Sequence, residues 1–308
     1  MALGLEPGDE VIVPAFTYVA TAEVIALLQL TPIMVDVDPN TFNLTVEIFE
    51  KAITPKTKAV VPVHLFGQCS DMESIMDLAK KHNIYVIEDN AQAIGADYTF
   101  SNGKNQKSGT IGDIGTTSFY PSKNLGAYGD AGAIFTNSDE LAAKLRMIAN
   151  HGQGQRYHHK MIGCNSRLDS IQAAILGVKL KYLKKYSNAR QEAAAFYDKA
   201  FADEDWMQIP TRQHNSTHVF HQYTLKIKDG YRDALKDHLF AAGIPFGVFY
   251  PLPLYEQEAF KKFVPDDLDL PVTEMLCQSV ISLPIHTEMD EEILNHISGV
   301  VKGMFKRA

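Results

Sequence analysis

The sequence has few of the features that mark secreted, metal-binding or membrane-spanning proteins. It contains 3 cysteines in 308 residues, and their spacing matches neither a CxxC motif nor a Cys/His metal site. We therefore expect no metal site and no disulfide framework, which fits a reducing cytoplasm. The chain has no apolar run that approaches a membrane span, and no signal-peptide pattern opens it. These absences predict a soluble cytoplasmic protein with no membrane partner.

Basic residues are also fewer than acidic residues. Lysine and arginine number 29 against 37 aspartates and glutamates, which gives a formal net charge of -8 at pH 7. This balance argues against nucleic acid as a partner, although it is compatible with a local basic pocket. The motifs GxGxxG after a first strand, GxxxxGK[ST], HExxH and GxSxG are absent as well. Dinucleotide-binding, P-loop, zincin and serine-hydrolase functions therefore lack support.

The chain does contain short apolar segments that alternate with helical patterns up to about residue 176. Strands that alternate with helices predict right-handed crossovers and a mostly parallel sheet, hence an α/β fold. Thr45 is the predicted N-cap of one helix, and Ser70 with Glu73 predicts a capping box at another. The polar segment 97–112 is predicted to be a loop. The predicted strands are residues 10–13, 33–37, 59–63 and 84–87, and the predicted helices are residues 17–30, 45–53, 139–150 and one from residue 70.

The pattern changes after a helical bridge that we predict over residues 172–200. With 308 residues, of which 45% are hydrophobic, the chain is long enough for two domains. We predict a large domain over residues 1–185 and a small α+β domain over residues 186–308. The elements predicted after the bridge are strands at residues 223–227 and 246–249, a helix at 231–242 that stops at Gly243, and a helix at 290–305.

One lysine has an unusual setting in the segment from Gly115 to Thr136, GTTSFYPSKNLGAYGDAGAIFT. Lys123 follows a Tyr-Pro pair and precedes a glycine-rich turn, so the backbone around it is tightly constrained. If its amine is buried, desolvation favours the neutral, nucleophilic form that Schiff-base chemistry needs. The alternative is a solvated loop lysine. The segment by itself leaves both interpretations open.

A carboxylate ends the fourth predicted strand. The apolar run Ile84 to Ile87 leads into Glu88 and Asp89, and ligands of open α/β sheets bind at the carboxyl ends of the strands. Asp89 is therefore a candidate ligand-binding acid, the alternative being a cap of the next turn. Together with Lys123 it suggests pyridoxal phosphate. The acid keeps the pyridine nitrogen protonated while the lysine binds the cofactor carbon.

At this level the sequence resembles the DegT-like sugar aminotransferases, which belong to the fold-type I, aspartate-aminotransferase-like pyridoxal phosphate enzymes. The resemblance implies a three-layer fold with a mostly parallel central sheet and a smaller C-terminal α+β domain. It also implies a part in polysaccharide biosynthesis, such as that of the lipopolysaccharide O-antigen. The matching motifs are PGDEVIVPAFTYVAT (7–21), VDVDPNTFNL (35–44), AVVPVHLFGQ (59–68), VIEDNAQAIGA (86–96), SFYPSKNLGAYGDAGAIFTN (118–137) and NSRLDSIQAAIL (165–176).

The resemblance also implies roles for individual residues, with pyridoxal 5'-phosphate as the cofactor. Lys123 resembles the Schiff-base lysine that also carries a proton between substrate and cofactor, and Asp89 the partner of the pyridinium nitrogen. The other implied cofactor contacts are Gln92 near the phenolic oxygen, Tyr18 stacked on the ring, Ser118 on the phosphate, and Asn165 on a phosphate across a dimer interface. For Tyr18 the alternative role is core packing, and for Ser118 it is a hydrogen bond that satisfies the end of a strand.

Within the family, the segment HGQGQRYHHKMIGCNSRLD (151–169) most resembles enzymes that aminate a UDP-linked 2-acetamido-3-keto hexuronic acid, the UDP-2-acetamido-2-deoxy-3-oxo-glucuronate aminotransferases. Guanidinium groups bind carboxylate and phosphate in a bidentate manner, which suits an anionic nucleotide sugar. A solvated basic loop is the alternative. The resemblance implies glutamate as the amino donor and a homodimer in which Asn165 and Arg167 serve the neighbour's site. The candidate substrate-binding residues are Arg156, His158, His159, Arg167 and Tyr250, the last at the edge of the cleft.

The sequence also departs from the family pattern. Family members begin well upstream with a helix whose Gly-Thr or Gly-Ser start binds the cofactor phosphate, so we expect this chain to be truncated at its N-terminus relative to them. Smaller departures occur at Asn90, Ala131 and Phe249. Two alternatives stay open: a catalytically silent chain, and a dehydratase of the same fold. The dehydratase has histidine in place of the Schiff-base lysine, and Lys123 argues against it.

Overall fold

The structure is a computed structural model that describes residues 1–228 and 230–305. Its strands are β1 (Glu10–Pro14), β2 (Thr31–Val35), β3 (Thr57–Val60), β4 (Tyr85–Asp89), β5 (Asp97–Thr99), β6 (Asn105–Lys107), β7 (Ile114–Ser118), β8 (Gly132–Phe135), β9 (Gln153–Gln155), β10 (His158–His159), β11 (Met207–Gln208), β12 (Tyr223–Ile227) and β13 (Val280–Leu283). The helices are α1 (Ala20–Leu27), α2 (Val46–Ala52), α3 (Met72–His82), α4 (Asp139–Ala149), α5 (Ser170–Lys179), α6 (Leu183–Phe201), α7 (Arg232–Ala241), α8 (Pro271–Ser279) and α9 (Glu291–Gly303).

A six-stranded sheet in the order β2-β1-β3-β4-β7-β8 forms the centre of the first part of the chain. All neighbouring strands are parallel except β8, which runs antiparallel to β7. The predicted α/β fold with a mostly parallel sheet is confirmed. Parallel strands align their carboxyl ends at one edge of the sheet, so the residues that end β4 and β7 lie close together.

Both faces of this sheet are covered, as expected of a parallel sheet. Successive side chains of β1 alternate between two cores because a strand has a period of two. Ile12 joins the core that contains Phe49 of α2 and Ile75 of α3. Val13 joins the core on the opposite face, which contains Ile25 of α1. The result is a three-layer arrangement of helix, sheet and helix.

The local predictions were right in some places and wrong in others. Thr45 caps α2 by accepting a hydrogen bond from the Ile48 amide, as predicted. The capping box is wrong, because α3 begins at Met72 and the Glu73 carboxylate accepts hydrogen bonds from Ser101 instead. The segment 97–112 is not only a loop, since its polar residues pair as the β5–β6 hairpin.

A second sheet, in the antiparallel order β11-β12-β13, lies in the C-terminal part of the chain. Tyr197 of α6, Leu235 of α7 and Ile297 of α9 belong to the core that covers it. The strand predicted at residues 246–249 is wrong, since only an isolated bridge from Gly247 to Ser282 forms there. The predicted domain boundary between residues 185 and 186 falls inside α6 and stays a prediction. Within residues 1–228 and 230–305, no helix has the length and hydropathy needed to cross a membrane.

Candidate active site

The turn that contains Lys123 leaves the carboxyl end of β7 and folds back on itself. The Lys123 amide donates to the Tyr120 carbonyl at 2.8 Å, and the Ala127 amide donates to the Phe119 carbonyl at 2.7 Å. Glycine is required at position 126, because a Cβ there would lie 2.3 Å from the Pro121 carbonyl oxygen. The glycine-rich sequence thus fixes a tight loop, and this loop carries Lys123 to the edge where the strands end.

Asp89 is the last residue of β4 and is half-buried at the same edge. Its Oδ2 accepts a hydrogen bond of 2.6 Å from the Thr21 hydroxyl, and its Oδ1 accepts one of 3.1 Å from the Ala91 amide. Burial lowers the pKa of the half-buried Lys123 ammonium below its ordinary value, and the Asp89 carboxylate partly offsets this shift. The two side chains therefore share one electrostatic environment, and the lysine in it is biased towards the neutral amine.

Gln92 links this edge to the C-terminal part of the chain. Its Oε1 accepts a hydrogen bond of 2.7 Å from the Phe66 amide, and its Nε2 donates one of 3.2 Å to the Tyr250 hydroxyl. Burial raises the pKa of Tyr250, so its hydroxyl stays protonated. Its ring centroid lies 6.3 Å from that of Tyr18. Tyr18 is 59% exposed, which rules out the core-packing alternative and leaves its ring free to contact a ligand. We refer to Lys123, Asp89, Gln92, Tyr18 and Tyr250 as the lysine cluster.

Ser118 ends β7 and is half-buried. Its Oγ accepts a hydrogen bond of 3.2 Å from the Tyr120 amide, which is the strand-end role given as its alternative. A hydroxyl that accepts in this way still has its own proton to donate. Ser118 therefore satisfies the backbone of the turn and keeps a donor available.

Glu88 is a residue whose environment the sequence analysis missed. Its side chain and that of His64 are fully buried, and its carboxylate accepts four hydrogen bonds. They come from His64 Nε2 at 2.8 Å and from the amides of Gly109, Ile111 and Gly112 at 2.6–2.7 Å. Burial by itself raises the pKa of Glu88, but these donors, led by His64, outweigh it and lower the pKa overall. The period of two along a strand accounts for the contrast with Asp89, whose side chain points to the other face.

The remaining predicted site residues lie on the segment 151–169, which we call the basic arm. Arg156, His158, His159, Asn165 and Arg167 are all exposed. Arg156 lies over the ring of Tyr157 at 5.1 Å, and Asn165 pairs with Asn150 in an isolated bridge. Arg167 lines a groove of about 730 Å³ between β8 and α4. In the described part of the chain, no side-chain hydrogen bond joins the basic arm to the lysine cluster.

The residues of the lysine cluster fit pyridoxal phosphate. A lysine whose pKa is lowered by burial suits a bond to the cofactor carbon, and the nearby carboxylate suits the pyridinium nitrogen. The exposed ring of Tyr18 offers a flat surface for stacking, and Gln92 and Ser118 supply polar groups. Among residues 1–228 and 230–305, no group of His, Cys, Asp and Glu is arranged to hold a metal ion.

Comparison with known proteins agrees with this arrangement. The model of the DegT/DnrJ/EryC1/StrS aminotransferase family matches residues 1–302. The UDP-2-acetamido-2-deoxy-3-oxo-D-glucuronate aminotransferase of Pseudomonas aeruginosa is 48% identical over 94% of this chain and 78% of its own length. The UDP-N-acetyl-3-dehydro-alpha-D-glucosamine 3-aminotransferase of Acidithiobacillus ferrooxidans is 46% identical over 98% of this chain and 79% of its own. The crystal structure of S. venezuelae DesV in complex with a ketimine intermediate superposes with a TM-score of 0.93, at 37% identity, and covers 100% of this chain and 81% of that one.

Proposed function

The chain belongs to the DegT/DnrJ/EryC1/StrS aminotransferase family, and on that premise we propose that it transfers an amino group from glutamate to position 3 of a UDP-linked 2-acetamido-3-keto hexuronic acid. Sugar aminotransferases of this family depend on pyridoxal 5'-phosphate, and that is the cofactor of this chain. The observation that carries the proposal is the half-buried Lys123 beside Asp89 at the carboxyl edge of the sheet. The names of two relatives, at 48% and 46% identity, support a UDP-linked 3-keto sugar as the acceptor.

Lys123 acts first as a nucleophile and then as a proton carrier in this proposal. Burial lowers its pKa, which makes the neutral amine easier to form than in an exposed lysine. As a free amine, the same Nζ carries a proton between the substrate carbon and the cofactor carbon. The cofactor, when bound, supplies the electron sink for this chemistry.

Asp89 is the carboxylate that would pair with the cofactor's ring nitrogen. Its two oxygens accept hydrogen bonds from the Thr21 hydroxyl and the Ala91 amide, which fix the orientation of the carboxylate. Gln92 is held at both ends, by the Phe66 amide and by Tyr250, so it is a rigid donor next to the phenolic oxygen. Tyr18 would stack on the ring, and the Ser118 hydroxyl would donate a hydrogen bond to the phosphate.

The basic arm completes the site of a second copy of the chain in this proposal. Large apolar side chains are exposed on the arm and on α5, where Ile162 is 85%, Ile171 73% and Val178 61% exposed. Soluble monomers rarely expose so much apolar surface in one region, which supports a homodimer through this face. Asn165 then contributes to the partner's cofactor site, and Arg156, His158 and Arg167 supply positive charge for an anionic nucleotide sugar. Tyr250 borders the same cleft from its own chain.

A mixing experiment tests the shared site. Lys123→Met and Arg167→Ala are each expected to be inactive as pure proteins. Random exchange of subunits gives hybrids with one intact site, so the mixture should regain about a quarter of the native activity. Mixtures that stay inactive while light scattering reports a dimer would contradict sharing, and a monomer would contradict the interface itself.

The function itself is tested with the purified 308-residue chain. We expect added pyridoxal phosphate to give a visible absorbance band that Lys123→Met lacks, glutamate to remove the band, and the 3-keto sugar nucleotide to restore it. Absence of a lysine-dependent band would support the catalytically silent alternative. A lysine-dependent band that does not respond to any amino donor would contradict amino transfer.

A further inference from the structure

A buried histidine lies behind the Lys123 loop and has no role in the mechanism above. His221 is 6% exposed, and its Nδ1 has no hydrogen-bond partner within the described residues. Buried polar atoms without a partner are rare in folded proteins because they cost the free energy of desolvation. An imidazole nitrogen left in this condition next to a catalytic lysine points to a function.

The backbone around His221 is held firmly on three sides. The His221 amide donates to the Phe66 carbonyl at 2.8 Å, and the Phe66 amide is the donor to Gln92 Oε1. Arg190 Nη1 donates to the Phe220 carbonyl at 2.9 Å, and Asn124, the residue after Lys123, donates through Nδ2 to the Val219 carbonyl at 2.8 Å. These bonds fix the segment 219–221 between the Lys123 loop and the Phe66–Gln92 contact.

The charges around His221 keep its imidazole neutral. Burial, followed by the positive charges of Lys123 and Arg190, lowers the pKa of His221 well below its ordinary value. Arg190 is itself buried, and within residues 1–228 and 230–305 no carboxylate lies at ion-pair distance from it. Asp89 is the carboxylate whose charge acts on Lys123. His221 is therefore a neutral group with one acceptor nitrogen, and two positive charges act on it.

We propose that His221 is a positioning residue for Lys123, whose ammonium form donates a hydrogen bond to Nδ1 of the neutral, Nε2-protonated imidazole. The proposal rests on the proposed function, in which the released Lys123 takes up a proton from the substrate. A buried ammonium loses its hydration, and Asp89 compensates for only part of this loss. A neutral acceptor stabilises the proton-carrying state without a second negative charge, and it leaves the proton free to return.

Lys123 in the 308-residue chain without added cofactor provides the test. Competitive acetylation with acetic anhydride across a pH series, read by mass spectrometry, gives the pH at which Lys123 becomes reactive, with the exposed Lys181 as reference in the same digest. His221→Phe keeps the ring shape and removes the acceptor, whereas His221→Asn keeps an acceptor oxygen near the position of Nδ1. We expect the midpoint for Lys123 to fall by about one pH unit, a tenfold change in proton affinity, in His221→Phe and by much less in His221→Asn.

Kinetics of the cofactor-loaded enzyme give a second readout. His221→Phe should lower kcat about tenfold and leave the KM for the amino donor unchanged, because the proposed hydrogen bond is made to the lysine and not to the donor. Equal midpoints in the native chain and both variants would overturn the proposal, as would equal shifts in Phe and Asn variants. If His221→Phe fails to fold, His221→Leu takes its place. Acetylation requires neither cofactor nor sugar. A missing absorbance band would therefore refute the proposed function, whereas the acetylation midpoint of Lys123 could still be measured and compared.

Discussion

Two neighbouring carboxylates at the end of β4 belong to regions with opposite character. Glu88 lies in a closed interior region with His64 and the loop amides of residues 109–112, where every donor has a partner. Asp89 lies in an open cleft with the half-buried Lys123 and the exposed ring of Tyr18. A fully hydrogen-bonded buried charge stabilises structure, whereas an incompletely enclosed one keeps the capacity to bind a ligand. Adjacent acids can therefore have unrelated roles, one structural and one chemical.

The largest expected effect is on the interior region. Glu88→Ala removes the acceptor of three backbone amides and of His64, and the described part of the chain offers these donors no second acceptor. We expect a loss of about 3–5 kcal/mol in the free energy of unfolding, measured by urea denaturation at pH 7. Glu88→Gln, which keeps one acceptor oxygen, should lose less. If Glu88→Ala changed the free energy of unfolding by less than about 1 kcal/mol, the hydrogen bonds of Glu88 would not be a major source of stability.

The contribution of Glu88 also depends on pH in a defined direction. Its donors lower its pKa below the ordinary value of 4.5, so the folded state binds the proton less tightly than the unfolded state. The stabilisation is present above pH 4.5 and is lost as the pH falls through the lower folded pKa. The difference in unfolding free energy between the native chain and Glu88→Gln should therefore narrow in acid. A constant difference over this range would contradict the charge-based explanation.

Asp89→Asn is the matched change in the open cleft. Asparagine keeps an oxygen for the Ala91 amide but has no charge for the ring nitrogen. We expect the unfolding free energy to change by less than about 1 kcal/mol. The rate of amino transfer should fall about 10²–10³-fold, in line with the loss of a preorganised electrostatic contact. Denaturation and turnover measured on one preparation separate the two effects, and a severe loss of stability would place Asp89 with Glu88.

Lys123→Met tests whether the buried ammonium group of Lys123 lowers the stability of the folded chain. Burial lowers the pKa of Lys123 below its ordinary value of 10.5, so the ammonium is less stable in the folded state than in the unfolded chain. The unfolded state binds this proton more tightly, and stability rises with pH through the window from the lowered value to 10.5. Without cofactor, Lys123→Met should be more stable by on the order of 1 kcal/mol at pH 7, with the gain vanishing above pH 10.5. Thermal unfolding at two pH values measures this, and a less stable variant would contradict it.

The sequence predicted the fold and the position of Asp89 at a strand end better than it predicted the interior region. Strand and helix alternation gave the parallel sheet, and the end of an apolar run gave the position of Asp89, because both depend on local periodicity. The four partners of Glu88 come from positions 64 and 109–112, so its burial depends on tertiary contacts that no local pattern contains. The same is true of β13, whose four residues Val280–Leu283 are all buried, and of His221, which comes under the influence of the Lys123 charge only through folding.

The smallest expected effect concerns Tyr250. Tyr250→Phe removes the hydroxyl that accepts from Gln92 Nε2, whereas the Phe66 amide still fixes the other end of that side chain. One neutral hydrogen bond in a half-buried site contributes about 0.5–1.5 kcal/mol, so the free energy of unfolding should fall by that amount or less. Gln92→Leu is the sharper control, because it leaves both the Phe66 amide and the Tyr250 hydroxyl without a partner. We expect cofactor titration by absorbance to weaken a few-fold in Tyr250→Phe and more in Gln92→Leu. If Tyr250→Phe instead destabilised the chain as much as Glu88→Ala, the cleft would be as tightly built as the interior, and the contrast between the two carboxylates would no longer hold.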